Sequence, residues 1–370
     1  MKNVLPILIF LIGFFISCVP ERNSSEILLK TSGYADSTKI YLVDTETITT
    51  IDSGYIVNNK LLFNLDVAEP TRLLIRPVFK SRDNFQVRNI WKENRQLTIT
   101  AEQGNLKNAI VEGSVMQVQA DLVKVAKDKL TMLSDSLFSI YRSLEDKTTA
   151  EALALRSRGR KISEEITNVD INYITDNPDN NFSAITLKRL MTYTIPIEDT
   201  EALYETLSDR VKSTKYGISI QKYLELSRDL KAGDEAVNFT MPDRKGNLLG
   251  LNDFKGKYVL LDFWSSGCGP CRLESPNLLR NYKEYRDKGF EIISISFDRD
   301  REAWEKALDK DGVIWTSLCD FKGGDGDVIM TYKVYFMPTY FLIGPDGIIR
   351  DKWQGMGQLD KKLKKLFEPA

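Results

Sequence analysis

Residues 260–276, LLDFWSSGCGPCRLESP, hold two of the chain's four cysteines, Cys268 and Cys271, with Gly269 and Pro270 between them. The apolar run before them reads as a strand and the run after them as a helix, so the pair stands at a strand-to-helix junction. A thiol in that place faces unpaired backbone N–H groups and the positive end of the helix dipole, which stabilise its thiolate. Cys268 is nearest that end and is expected to be the nucleophile. Cys271 falls within the first turn, where it can close the ring and release a bound partner. Pro270 suits that turn, because its missing N–H costs little there. Two other uses of the pair compete. A disulfide staple would remove little chain entropy, since stabilisation grows with the size of the closed loop. A metal clip needs a second cysteine pair, which is absent.

The whole composition narrows the chemistry further. The chain has 370 residues, 42% hydrophobic and 28% charged, with a net charge of −1, and it contains no histidine. Near-neutrality leaves no electrostatic footprint for nucleic acid. The lack of histidine removes serine–histidine and cysteine–histidine catalysis and every histidine-ligated zinc site.

The opening MKNVLPILIFLIGFFISC has a short positive start at Lys2 and an apolar core from Val4 to Ile16, too short to span a bilayer comfortably. Its ending, Phe-Ile-Ser-Cys, resembles the lipobox of bacterial lipoproteins. That resemblance implies a signal peptide over residues 1–17, lipid on Cys18, and a chain that faces the periplasm from a membrane anchor.

A polar tether at 18–26 leads to a β-rich segment, 27–113, with short runs such as KIYLVD and RQLTITA broken by Gly, Asn, Asp and Pro. A small antiparallel β-sandwich is expected there. The segment resembles the N-terminal β module of unassigned function in Bacteroidetes lipoproteins. From 114 to 231 apolar residues recur at three- and four-residue spacing (Val118, Leu122, Val125 and Leu133 among them), which predicts a helical connector. Its later helices are expected near Thr200–Val211 and Ser219–Leu230. Beyond LKAGDEAVNF the order becomes strand, helix, strand, helix, and then a hairpin about Pro345-Asp346-Gly347 and a last helix. Mixed strands with helices on both faces make an α/β domain over 232–370.

The stretch from Val237 to Asp298 is similar to the thioredoxin-like domain of the TlpA/ResA type of extracytoplasmic thiol-disulfide oxidoreductases. The resemblance implies that Cys268 attacks, that Cys271 resolves, and that Asp262 is the buried acid serving the resolving thiol. Many members of that type carry asparagine at the Asp262 position. Trp264 would pack beneath the active site, and VYFMPTYFLIG would carry a cis proline, Pro338. The backbone of Met337 would then pair with an extended substrate. One departure is Gly267, where the family usually places tryptophan; this opens the front of the nucleophile.

These readings imply an enzyme with no cofactor beyond a redox-active Cys268–Cys271 disulfide. Protein thiols and disulfides would be its substrates, and a membrane-bound thiol donor would recharge it. Cys-Gly-Pro-Cys resembles the reducing thioredoxins, which favours a reductase. Two alternatives stand beside it: a binding or scaffold lipoprotein with a secondary redox domain, and a peroxiredoxin-like peroxidase. Against the peroxidase, Ser265 stands where those enzymes place threonine. Cys319, in WTSLCDF, is expected to be a buried small hydrophobe.

Overall fold

The computed structural model describes residues 25–46, 49–78 and 86–368. The signal segment 1–17 and the lipidation position Cys18 lie outside them. Two compact units divide the chain, residues 1–121 and 122–370.

Within the first unit, alternation of apolar and polar residues produces eight strands: β1 (Glu26–Ser32), β2 (Lys39–Asp44), β3 (Thr50–Tyr55), β4 (Lys60–Asn64), β5 (Thr71–Pro77), β6 (Arg88–Lys92), β7 (Leu97–Glu102) and β8 (Ile110–Glu112). They form two sheets, ordered β4-β1-β7-β8 and β3-β2-β5-β6. Ile27, Leu29 and Ile99 of one sheet and Leu42, Leu73 and Ile75 of the other share one buried core, the arrangement of a sandwich. The pairing is antiparallel as expected, except that β1 and β7 run parallel. Between them the chain has crossed to the second sheet and come back, which frees β7 from the hairpin geometry that forces antiparallel pairing.

The second unit combines helices with a C-terminal sheet. Helix α1 (Val115–Ser143) is followed by α2 (Ala150–Asp176), α3 (Asn181–Tyr193), α4 (Ile197–Thr206), α5 (Asp209–Lys212) and α6 (Lys215–Leu226). Asp170, buried in α2, binds both Lys127 of α1 and Arg189 of α3. The helix expected at Thr200–Val211 is broken, because Ser208 turns outward and its hydroxyl accepts the Val211 N–H to start α5. The last helix begins earlier than expected, since Thr214 caps it through the Gly217 N–H. It ends at Leu226, short of the expected Leu230.

A two-stranded ribbon, β9 (Thr240–Pro242) and β10 (Leu248–Gly250), precedes β11 (Tyr258–Trp264), α7 (Gly269–Tyr285), β12 (Phe290–Ser296), α8 (Arg301–Asp311), β13 (Thr316–Leu318), α9 (Asp327–Thr331), β14 (Thr339–Ile343), β15 (Ile349–Gln354) and α10 (Leu359–Phe367). The main sheet is ordered β13-β12-β11-β14-β15; β11, β12 and β13 are parallel, and β14 and β15 antiparallel to their neighbours. The apolar runs of β11 and β12 are buried on both faces, as a central pair must be. Alternate residues face opposite ways. Val259, Leu261 and Phe263 enter one core with Tyr332 and Phe341. Leu260 enters another with Leu278 and Tyr282 of α7 and Leu363 of α10. Asp262 shares the parity of Leu260, so it points to the face that α7 covers.

Candidate active site

Cys268 is the residue that caps α7. Its backbone is extended (φ −80°, ψ 99°), and its Sγ lies 3.2 Å from the Cys271 nitrogen, the donor of that N–H bond. Cys268 is half-buried, Cys271 is buried, and the two are joined as a disulfide. The helix therefore points its unpaired N–H groups at the outer sulfur and covers the inner one.

The preceding loop is fixed by charge. The Asp298 carboxylate accepts the Ser266 N–H at 2.9 Å, the Ser266 hydroxyl at 2.5 Å and the Ser296 hydroxyl at 2.5 Å. From the other side Arg272 donates to the Ser266 carbonyl at 3.1 Å while paired in fork geometry with Asp311 of α8. Gly267 projects between these anchors, exposed, and a Cβ built on it would meet nothing within 4 Å.

Beneath α7, Asp262 is 3% exposed, and Ser294 of β12 and Tyr340 of β14 stand opposite it in register. The Ser294 hydroxyl donates to Asp262 Oδ2 at 2.7 Å and itself accepts the Trp315 indole N–H at 2.8 Å. Burial pushes the carboxyl up to about 7; the Ser294 hydrogen bond opposes this, and the nearby charge of Glu274 adds to it. Glu274 is itself buried on α7, where it accepts the Gly357 N–H at 3.2 Å and an Asn277 amide bond at 2.6 Å. It thereby ties the helix to the loop after β15, whose Gly355 N–H is bonded to the Pro338 carbonyl. A carboxyl titrating near neutrality can act as an acid or a base in that pH range.

The remaining residues named from the sequence gather here. Trp264 is buried in a cluster with Cys271, Trp304 and Cys319, and Cys268 and Met337 pack against it. The Met337–Pro338 peptide is cis. Cys319 is 1% exposed, and burial pushes its thiol up to about 12. Glu274, Asp298 and the Arg272–Asp311 pair were not singled out in the sequence. Glu274 had a signal: three residues after Cys271 in a helix, it shares that residue's inward face. Asp298 had none, because its partner Ser266 is 32 positions away. Among the described residues, no three His, Cys, Asp or Glu side chains converge on a metal position, and no helix is long and apolar enough to cross a membrane.

A five-stranded mixed sheet, a disulfide-linked Cys-X-X-Cys capping its first long helix and a cis proline in the facing loop define a thiol-disulfide oxidoreductase of thioredoxin-like fold. Comparison with known proteins agrees. Residues 232–352 match the AhpC/TSA family, and residues 26–119 match a domain of unknown function, DUF4369. The thiol-disulfide oxidoreductase ResA of Bacillus cereus (strain ATCC 10987 / NRS 248) is 36% identical over 163 residues, 43% of this chain and 90% of that protein. ResA of Bacillus subtilis (strain 168) is 34% identical over 118 residues, 32% of this chain and 64% of that protein. The chain belongs to the ResA-type thiol-disulfide oxidoreductases. Among solved structures, the thioredoxin domain of a thiol-disulfide oxidoreductase from Bacteroides vulgatus is 40% identical, covering 37% of this chain and 99% of its own, at a TM-score of 0.36. A thiol:disulfide interchange protein from Bacteroides sp. is also 40% identical, covering 39% and 94%, at 0.36.

Proposed function

We propose that this oxidoreductase works as a reductase of protein disulfides outside the cytoplasmic membrane. The observation that carries the reading is the half-buried Cys268 sulfur at the head of α7, above a buried carboxyl that titrates near neutrality. In the reduced protein the Cys268 thiolate attacks a partner disulfide. A mixed disulfide forms and one partner thiolate leaves. Asp262 takes the Cys271 proton, and the Cys271 thiolate then attacks Cys268 Sγ and displaces the second partner sulfur. Two electrons have passed to the partner, which leaves as a dithiol, and Cys268–Cys271 is left as a disulfide. A membrane-bound thiol donor is the proposed source of the electrons that reopen it.

The reductive direction is supported by what surrounds the sulfurs. Uncharged Gly269 and Pro270 lie between them, no histidine is present, and Asp262 and Glu274 are buried on the inner side. Negative charge there disfavours a second thiolate, and oxidising enzymes of this fold owe their high potential to a stabilised thiolate form. Polypeptide substrates are supported by the exposed apolar side chains of Leu273 and Phe336, each within two residues of a site residue. Residues 1–17 as a signal, Cys18 as the lipid anchor and a periplasm-facing location complete the proposal. Residues 27–113 and 114–231 would then be a β domain and a connector for partner contact, ahead of the redox domain at 232–370.

Cys271→Ser tests the reading. In the native envelope it should accumulate discrete mixed disulfides through Cys268, lost in Cys268→Ser, and their partners name the substrates. No adducts under either oxidising or reducing conditions would count against it, and peroxide consumption at ordinary peroxidase rates would favour the peroxidase alternative.

A further inference from the structure

The loop carrying Met337 and Pro338 is held at its two ends by different parts of the second unit. After Pro338 the chain enters β14 in the middle of the main sheet. Before Phe336 the chain is held from two sides: Val328, Ile329, Tyr332 and Val334 enter the main-sheet core, and the groups between and beside them face the helices. The Asp325 carboxylate accepts the Lys188 ammonium of α3 at 2.6 Å, the Ser219 hydroxyl of α6 at 2.8 Å and the Arg299 guanidinium at 2.7 Å. Lys222 of α6 pairs with Asp327, and the Thr331 carbonyl accepts the Arg228 N–H at 3.1 Å. Met330, 2% exposed, sits in the helical core with Leu187, Ile220 and Tyr223, and Tyr335 packs against the same core. The Tyr335 and Tyr223 rings lie 5.9 Å apart, centroid to centroid. Phe336, Met337 and Pro338 link Tyr335 to the start of β14 at Thr339. Phe336 is 55% exposed, and Met337 packs on the Cys268–Cys271 cluster.

We propose that Tyr335 is a positioning residue through which helices α3 and α6 set the Phe336–Pro338 edge for polypeptide substrates. The helical layer is in this sense part of the specificity apparatus of the redox site rather than a spacer. The inference rests on the reading above, in which an extended polypeptide lies along Met337. Such a substrate must register its backbone on this edge, as in strand addition. A small disulfide needs only the Cys268 sulfur. A three-residue bridge transmits any shift of its anchor, and displacements of about 1 Å in a positioning element are costly to the step they serve.

The test compares exchange by the reduced full chain with insulin and with 5,5′-dithiobis(2-nitrobenzoate). Tyr335→Ala should lower kcat/KM for insulin about tenfold, chiefly through KM, and leave the small disulfide within about twofold of wild type. Tyr335→Phe keeps the ring and should restore insulin exchange. Asp325→Asn weakens the same anchor from its other end and should raise KM for insulin in the same selective way. It decides the matter if Tyr335→Ala does not fold. Unchanged insulin kinetics, or equal slowing on both substrates, overturns the proposal. A wild-type protein that exchanged with neither substrate would instead sink the oxidoreductase reading on which it rests.

Discussion

At the scale of single residues, Asp262 has the clearest consequences. Its carboxyl titrates near 7 in the fold because burial penalises its charge, against about 3.9 in an unfolded chain. Between those values the folded protein holds a proton that the unfolded chain has released. Stability therefore falls as pH rises from about 4 to about 7 and levels off above. Asp262→Asn removes that loss, so at pH 8 the variant should resist urea better than wild type, by at most on the order of 4 kcal/mol. In the proposed mechanism the same group also times the chemistry. Resolution of a trapped mixed disulfide should accelerate as pH rises through about 7 in the wild type, and stopped-flow measurement should find that step absent in Asp262→Asn. Asp262 was legible through the resemblance to the thioredoxin-like domain, whose buried acid it matches six residues before Cys268, in a continuously apolar strand. Glu274 was less so, because a charged residue in an amphipathic helix ordinarily faces water.

At the scale of elements, the junction between β11 and α7 is held by charged groups distant in sequence. Asp298 takes three hydrogen bonds there, and Asp298→Ala would strand the Ser266 N–H and hydroxyl. We expect a cost of about 2–4 kcal/mol in chemical denaturation, with faster alkylation of reduced Cys268 as the loop loosens. Gly267→Trp should fold normally, since the space in front of that residue is open. The strands were readable because continuous apolar runs mark a doubly buried sheet, and α1 and α2 because their periodicity is long. The loop clamp was not, since nothing local links Ser266 to Asp298. The break between α4 and α5 was missed for a related reason: Ser208 reads equally well as a polar helix position or as a cap.

At the scale of the whole molecule, the helices from Leu122 onward fall in one compact unit with the main sheet. A fragment of residues 122–370 should therefore keep its exchange with small disulfides. One of residues 232–370 should unfold at lower denaturant, because it uncovers Met330 and Tyr335 and strips Asp325 of Lys188 and Ser219. That integration could not be read from composition, which shows the helical stretch only as a change of texture between two β-containing regions. Cys319 carries a last consequence for the way the molecule handles electrons. It is buried in the same cluster as Cys271 and Trp304, but burial pushes its thiol up to about 12, so at neutral pH it carries almost no thiolate with which to attack either active sulfur. Equilibrated against dithiol buffers of graded potential, the Cys268–Cys271 couple should trace a single two-electron Nernst curve, about 30 mV for each tenfold change in ratio. With its third thiol buried and protonated, the couple is left with two states, disulfide and dithiol.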